Sequence, residues 1–190
     1  MSIHSDHPFA TPAAERDPAR RLRGRLPSPV TVWTSGVAGD RAGLTVSSTM
    51  VAEGEPALLV GLIGPDTDLW ERLEQTRTAV VNVLTWKHRV VADVFAGLHP
   101  SPGGMFRTGD WAQGEAGPVL RGAGAYAVVR LRDARETGRS LLVETEIVDV
   151  ELPDLGHDAG SGDGADDAAL LYLRGRYRHP APALGAGAPR

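Results

Sequence analysis

The sequence predicts a mainly β fold, an antiparallel barrel of about seven strands with two short helices inserted. Three observations predict it. Short β-branched runs recur between turn residues, only two stretches carry clear helical spacing, and the order of elements does not follow the strand–helix alternation of a doubly wound sheet.

Residues 1–26 are rich in Pro, Ala and Arg, and Arg16, Arg20, Arg21, Arg23 and Arg25 stand just ahead of the first β-like run. A stretch of this kind reads as a flexible, solvated arm or a short helix in preference to an anion-binding arm. From Pro29 the pattern changes: VTVWTSG, AGLTVSS, ALLVGLI and TAVVNVL are strand-like. Between the first two, Gly36, Gly39, Asp40 and Gly43 supply residues that tolerate a hairpin turn. In DTDLWERLEQT, Asp68 and Glu71 have capping-box spacing, and Leu69, Trp70 and Leu73 form one apolar face. In KHRVVADVFAG, Val91, Val94 and Phe95 recur at helical spacing before a stop at Gly97. The Gly/Pro-rich stretch LHPSPGGMFRTGDWAQGEAGP is long for a compact domain and reads as a loop that covers something. AYAVVRLR and SLLVETEIVDVEL are the next strands, with a turn at Glu136 to Gly138. Residues 154–167 are acidic and Gly-rich, which predicts a disordered insertion; their aspartates lack the EF-hand spacing. ALLYLRGRYRH reads as one final strand, followed by a flexible tail over 179–190.

A chain of 190 residues suits one domain, here 27–178. A net charge of −4 gives no broad electrostatic reason to expect nucleic acid or an anionic membrane as partner. The absence of cysteine excludes disulfides, thiolate metal sites and Cys nucleophiles, so redox chemistry requires a bound cofactor. The six histidines are scattered, and no metal spacing or Ser–His–Asp order stands out. Gly122, Gly124 and Ala127 imitate a dinucleotide fingerprint but precede a strand, the wrong context. Neither a signal peptide nor an apolar run of membrane-spanning length is evident, which predicts a cytoplasmic protein.

The segment Gly43-Leu44-Thr45-Val46-Ser47-Ser48-Thr49 is the most informative: a strand that begins apolar and ends in adjacent hydroxyls offers donors to a phosphate or to the polar edge of a ring system. A Ser/Thr strand end is also a common structural feature. Its context is TVWTSG, then GLTVSS, EGEPALLVGLI, a helix, AVVNVL, a helix ending in DVFAG, and much later LLYLRGRYR. In order and wording this resembles the flavin reductase-like, FMN-binding split-barrel family, over about Pro27 to Tyr177 without the insertion.

The resemblance implies a Greek-key split barrel, a homodimer with FMN (FAD being possible) at its interface, and hydride transfer from NADH or NADPH to the flavin. It assigns no catalytic side chain, since the cofactor carries the chemistry. Gly43, Thr45, Val46, Ser47 and Ser48 would line the flavin, with Ser47 or Ser48 on the ribityl-phosphate chain. Thr67, before the first helix, would offer a hydroxyl to the phosphate, opposed by Asp66 and Asp68. Asn82 reads either as a flavin ligand or as a core residue satisfied by backbone. Trp86 reads as a stacking partner or as packing, His88 and Arg89 as phosphate-neutralising groups or a solvated helix start, and Phe106 as a flavin cap or a loop anchor. The family's usual histidine positions are Ser140 and Leu173 here, whereas Arg139, Arg174 and Arg176 occupy the same strand regions and would contact the nicotinamide nucleotide. A flavin-dependent monooxygenase is the expected kind of partner. A non-catalytic flavin carrier or sensor is the alternative reading.

Overall fold

The computed structural model describes residues 17–153 and 166–180. Its centre is a seven-stranded antiparallel sheet with the order β3-β2-β6-β9-β10-β5-β4. The strands are β2 (Thr31–Val37), β3 (Asp40–Val46), β4 (Met50–Ala52), β5 (Leu58–Ile63), β6 (Thr78–Val83), β9 (Ala125–Thr137) and β10 (Ser140–Glu151). The long β9–β10 hairpin has register shifts at Glu144/Thr145 and Ile147/Asp149. Such irregularities coil a ribbon, and here β9 pairs with β6 while β10 pairs with β5, so the two halves of the sheet wrap toward each other.

Two side-chain clusters fill the fold. Successive residues of β2 point to opposite faces: Trp33 enters an inner core with Val46, Leu59, Ile63, Val81 and Val143, and Val32 enters an outer core with Leu84, Val91, Phe95 and Leu170. Gly61 is placed so that an added Cβ would stand 3.0 Å from the Trp33 ring, so the indole lies directly on β5. The Trp33 Nε1–H donates to Thr31 Oγ1 and Thr49 Oγ1, each at 3.2 Å. Near the end of β3, Ser48 reaches β5: its Oγ accepts from Leu62 N at 2.8 Å and donates to Leu62 O at 3.2 Å. That side chain stitches two strands that are not neighbours in the sheet.

Helix α2 (Asp68–Thr76) buries Leu69 and Leu73. Its cap is Thr67 and not Asp68, one residue earlier than the capping-box spacing implies: Thr67 is extended, and its hydroxyl accepts from Trp70 N at 3.3 Å. Asp68 and Glu71 then lie in the first turn, where they complement the helix dipole. Helix α3 (Arg89–Phe95) follows a 3-10 turn at Trp86–His88. The long connection after it is partly ordered by β7 (Trp111–Gln113) and β8 (Pro118–Leu120), and Phe106 and Trp111 cover Phe95 at ring distances of 5.0 and 5.2 Å.

The final strand of the sequence reading is a hairpin, β11 (Leu171–Leu173) and β12 (Arg176–Arg178). Arg174 and Gly175 both have positive φ, 53° and 76°, as a tight two-residue hairpin turn demands. The strand β1 (Ser28–Pro29) pairs with β11. The basic stretch contains helix α1 (Pro18–Arg23), capped by Asp17, whose side chain accepts from Ala19 N at 2.8 Å. The residue that caps its C-terminus, Gly24, accepts a hydrogen bond through its carbonyl from Arg174 N at 2.8 Å, which fastens the arm to the hairpin turn. The expected insertion at 154–167 lies almost wholly outside the described residues, as do residues 1–16 and 181–190. Among the described residues no helix is long and apolar enough to cross a membrane.

Candidate functional site

A cavity of about 830 Å³ opens at the end of β3. One wall is the hydroxyl segment Thr45, Val46, Ser47 and Ser48, continued by Leu62 of β5 and Ser140 of β10. The facing wall is α1 with the residues after it, and the hairpin turn: Arg20, Arg21, Arg23, Arg25 and Arg174 all line it, beside Tyr172. Among the described residues no Asp or Glu contributes to the lining.

The hydroxyl wall is chemically uneven. Thr45 Oγ1 donates to Ala92 O at 2.8 Å, and Ser48 is held by Leu62. Ser47 is exposed, and its hydroxyl makes no hydrogen bond among the described residues. Val46 is 2% exposed, its side chain taken up by the inner core, so Leu62, 41% exposed, is the open apolar side chain of this wall. This set can seat an apolar ring against Leu62, with Ser47 free among the described residues to bond a polar edge or a phosphate.

Several residues that the sequence reading assigned to the flavin are engaged elsewhere in this protomer. Gly43 does not line the cavity; a Cβ there would stand 2.5 Å from Phe95 Cε1, so the glycine lets α3 pack on β3. Thr67 caps α2 and also donates to Gly64 O at 2.8 Å. Asn82 is fully buried, donating to Val32 O at 3.1 Å and accepting from Leu120 N at 2.8 Å. Its amide pins β8 to β2, the backbone-satisfied alternative. Phe106 anchors the loop against Phe95 and Trp111, with Arg41 4.4 Å above its ring.

Trp86, His88 and Arg89 form a separate group. The Arg89 guanidinium stacks on Trp86 at 4.0 Å and donates to Trp86 O, and His179 meets the indole edge-on at 4.7 Å. His88 is buried, and its Nδ1 accepts from Thr85 N at 3.2 Å, which places its proton on Nε2. Burial, followed by the charge of Lys87, lowers its pKa to about 4 against a small opposing pull from Asp167. It is therefore neutral near pH 7 and brings no charge to a phosphate. Of the arginines assigned to the nicotinamide, Arg174 lines the cavity and Arg139 and Arg176 do not.

The arginines of α1 are what the sequence reading passed over, treating them as solvated. The Asp-Pro pair that starts α1 and the closeness of the basic run to the first strand were the available signals. Their position on the cavity depends on the contact between Gly24 and Arg174, which no local pattern discloses.

Comparison with known proteins identifies the family. Residues 23–181 match the family described as Flavin reductase like domain. The chain is 31% identical over 187 residues to an NADH-dependent FAD reductase of Streptomyces globisporus, covering 94% of this chain and 96% of the relative. It is 30% identical over 169 residues to the reductase component of a 4-hydroxyphenylacetate 3-monooxygenase of Pseudomonas aeruginosa, covering 88% and 94%. Among solved structures it is similar to a Streptomyces globisporus NADH:FAD oxidoreductase in complex with NAD and FAD fragments, with a TM-score of 0.75, 26% identity, and coverage of 92% of this chain and 98% of that one. With a family match spanning most of its length and the split-barrel fold of its structural neighbours, the chain belongs to the flavin reductase like domain family.

Proposed function

We propose that the protein is a flavin reductase that transfers hydride from NADH to FMN, with FAD as the alternative flavin. The observation that carries this reading is the cavity itself, where the hydroxyl segment Thr45–Ser48 faces a wall of arginines. The residues present fit the groups: a volume of about 830 Å³ lies within the range of ligand pockets, and Ser47 and the arginines supply donors that make no side-chain hydrogen bond or ion pair among the described residues. The relatives' names point the same way, to NADH as reductant and a flavin as acceptor.

A bound flavin supplies the chemistry by accepting a hydride directly from the nicotinamide. This chain's residues position and enclose. Leu62 gives an apolar seat that excludes water from one ring face, and Ser47 bonds the polar chain. Ser48 holds the seat rigid through its two bonds to Leu62. Arg174 stays charged at any working pH and presents a planar donor fork to a phosphate. No general base is required.

We further propose a homodimer whose second subunit completes the flavin site, and in which Trp86 and Arg89 face the neighbouring cavity. We place the protein in the cytoplasm as the reductase partner of a flavin-dependent monooxygenase, by analogy with the Pseudomonas relative, the reductase component of a monooxygenase. The test is anaerobic mixing of the flavin-loaded protein with NADH and, separately, NADPH, following loss of the oxidised flavin absorbance. Rapid bleaching supports the reading; flavin that stays bound and oxidised refutes it. Sedimentation of the loaded protein tests the dimer, and a flavin-bound monomer overturns it.

A further inference from the structure

The connection from β3 to β4, residues 47–49, carries the Ser47 hydroxyl, yet outside the strand ladders no backbone-to-backbone hydrogen bond reaches it among the described residues. Side chains hold it instead. On one flank Ser48 is bonded twice to Leu62. On the other, Thr49 belongs to a chain of hydrogen bonds with Thr31 and Trp33, which are 2% and 0% exposed.

The direction of that chain follows from counting protons, since a hydroxyl has one to donate. Thr31 Oγ1 donates to the Val46 carbonyl at 2.7 Å, so toward Thr49 Oγ1, 2.9 Å away, it accepts. The Thr49 hydroxyl therefore donates to Thr31, and it accepts from the Trp33 indole N–H, which lies 3.2 Å from both hydroxyl oxygens. The order is Trp33 to Thr49 to Thr31 to the Val46 carbonyl, and bonds linked in this way polarise and strengthen one another. The last link fixes the peptide plane that joins Val46 to Ser47, and the middle link fixes Thr49, so Ser47 is held from both sides. The first link is anchored by packing: a Cβ on Gly61 of β5 would stand 3.0 Å from the indole. Thr31 by itself satisfies the buried indole N–H, so the bond to Thr49 is surplus to the core and acts on the connection.

We propose that Trp33, Thr31 and Thr49 are positioning residues for flavin binding, a clamp that presents the Ser47 hydroxyl to the ligand at a fixed place. Among the described residues none of the three lines the cavity, so they act on a ligand through Ser47. The proposal rests on the reading that Ser47 bonds the flavin.

The experiment is a double-variant cycle read by fluorescence titration of the flavin-free full chain with FMN. Thr49→Val keeps the shape of the side chain and removes its hydroxyl, while Thr31 continues to satisfy Trp33. It is expected to weaken FMN binding about two- to tenfold, and Thr49→Ser, which keeps the hydroxyl, to stay within about twofold of the unaltered protein. In a Ser47→Ala background, adding Thr49→Val is expected to change the Kd by less than about twofold, because the group being positioned is gone. A residue that only stabilises the barrel weakens binding equally in both backgrounds. Backbone amide order parameters of the unaltered flavin-free protein need no variant: values near about 0.85 are expected at Ser47, Ser48 and Thr49. Values there below about 0.6, Thr49→Val with unchanged FMN affinity, Thr49→Ser as weak as Thr49→Val, or an additive cycle overturns the proposal. FMN binding with the expected pattern but no reduction by NADH leaves the clamp standing and removes the reductase reading; reduction by NADH with an additive cycle does the reverse. An unaltered protein that binds no FMN overturns both.

Discussion

Replacing Ser47 and Ser48 separately by alanine divides two roles that adjacent hydroxyls of the same type conceal. Ser48 makes two neutral bonds to Leu62, and Leu62 is 41% exposed, so water replaces part of what is lost. At ~0.5–1.5 kcal/mol per bond, discounted for that exposure, Ser48→Ala costs about 1 kcal/mol and lowers Tm by about 2–4 °C for a chain of this size. Ser47 has no partner to lose among the described residues, so Ser47→Ala leaves Tm within about 1–2 °C. Its effect falls on the flavin: loss of a hydrogen bond to a charged phosphate costs ~1.5–3 kcal/mol, or roughly ten- to a hundredfold in Kd. Thermal melts of the flavin-free protein and fluorescence titration with FMN measure the two effects independently. Ser47→Ala with unchanged FMN affinity, or Ser48→Ala with an unchanged Tm, refutes the division.

Gly43→Ala forces a methyl group within 2.5 Å of Phe95 and is expected to cost about 1–3 kcal/mol, partly recovered in the double variant with Phe95→Leu; denaturant melts that show no recovery would locate the strain elsewhere. His88 has a folded pKa of about 4 against 6.5 unfolded, so the unfolded chain binds the extra proton between those values. Its contribution to stability is full above about pH 6.5 and is lost as pH falls to 4, worth at most about 3 kcal/mol. Tm measured across that window should fall more steeply for the parent than for His88→Asn, and identical slopes contradict the assignment. Tyr177→Phe removes the bond to Asp93 and is expected to cost about 1–2 kcal/mol; a denaturant melt with an unchanged midpoint would show that the tether adds nothing to stability.

What the sequence disclosed follows the range of the interactions involved. The periodicity of β2, β3, β5 and β6 and the Leu69/Leu73 face of α2 are local signals, and each element stands where its pattern places it. Val46, Ser47 and Ser48 line a cavity because a strand end with exposed hydroxyls is itself a local feature. Asn82 was ambiguous for a physical reason: its amide suits a ring edge as well as backbone, and only the distant Leu120 decides between them. The packing role of Gly43 is equally remote, since the ring that requires its missing Cβ lies fifty-two residues further on, at Phe95. The arginines of α1 acquire their setting from a hairpin at the other end of the domain, beyond the reach of any window on the sequence.

That last contact has a kinetic consequence. Gly24 leaves the ribosome 150 residues before Arg174, its hydrogen-bond partner. Closing so long a loop carries a large entropic cost, and contacts of this separation form late. The hydroxyl wall needs β10, which joins β5 to the rest of the sheet, whereas the cationic wall must also wait for β11 and β12. During translation the chain therefore passes through a stage with a formed barrel and an open, one-sided groove, which the last hairpin closes when it docks.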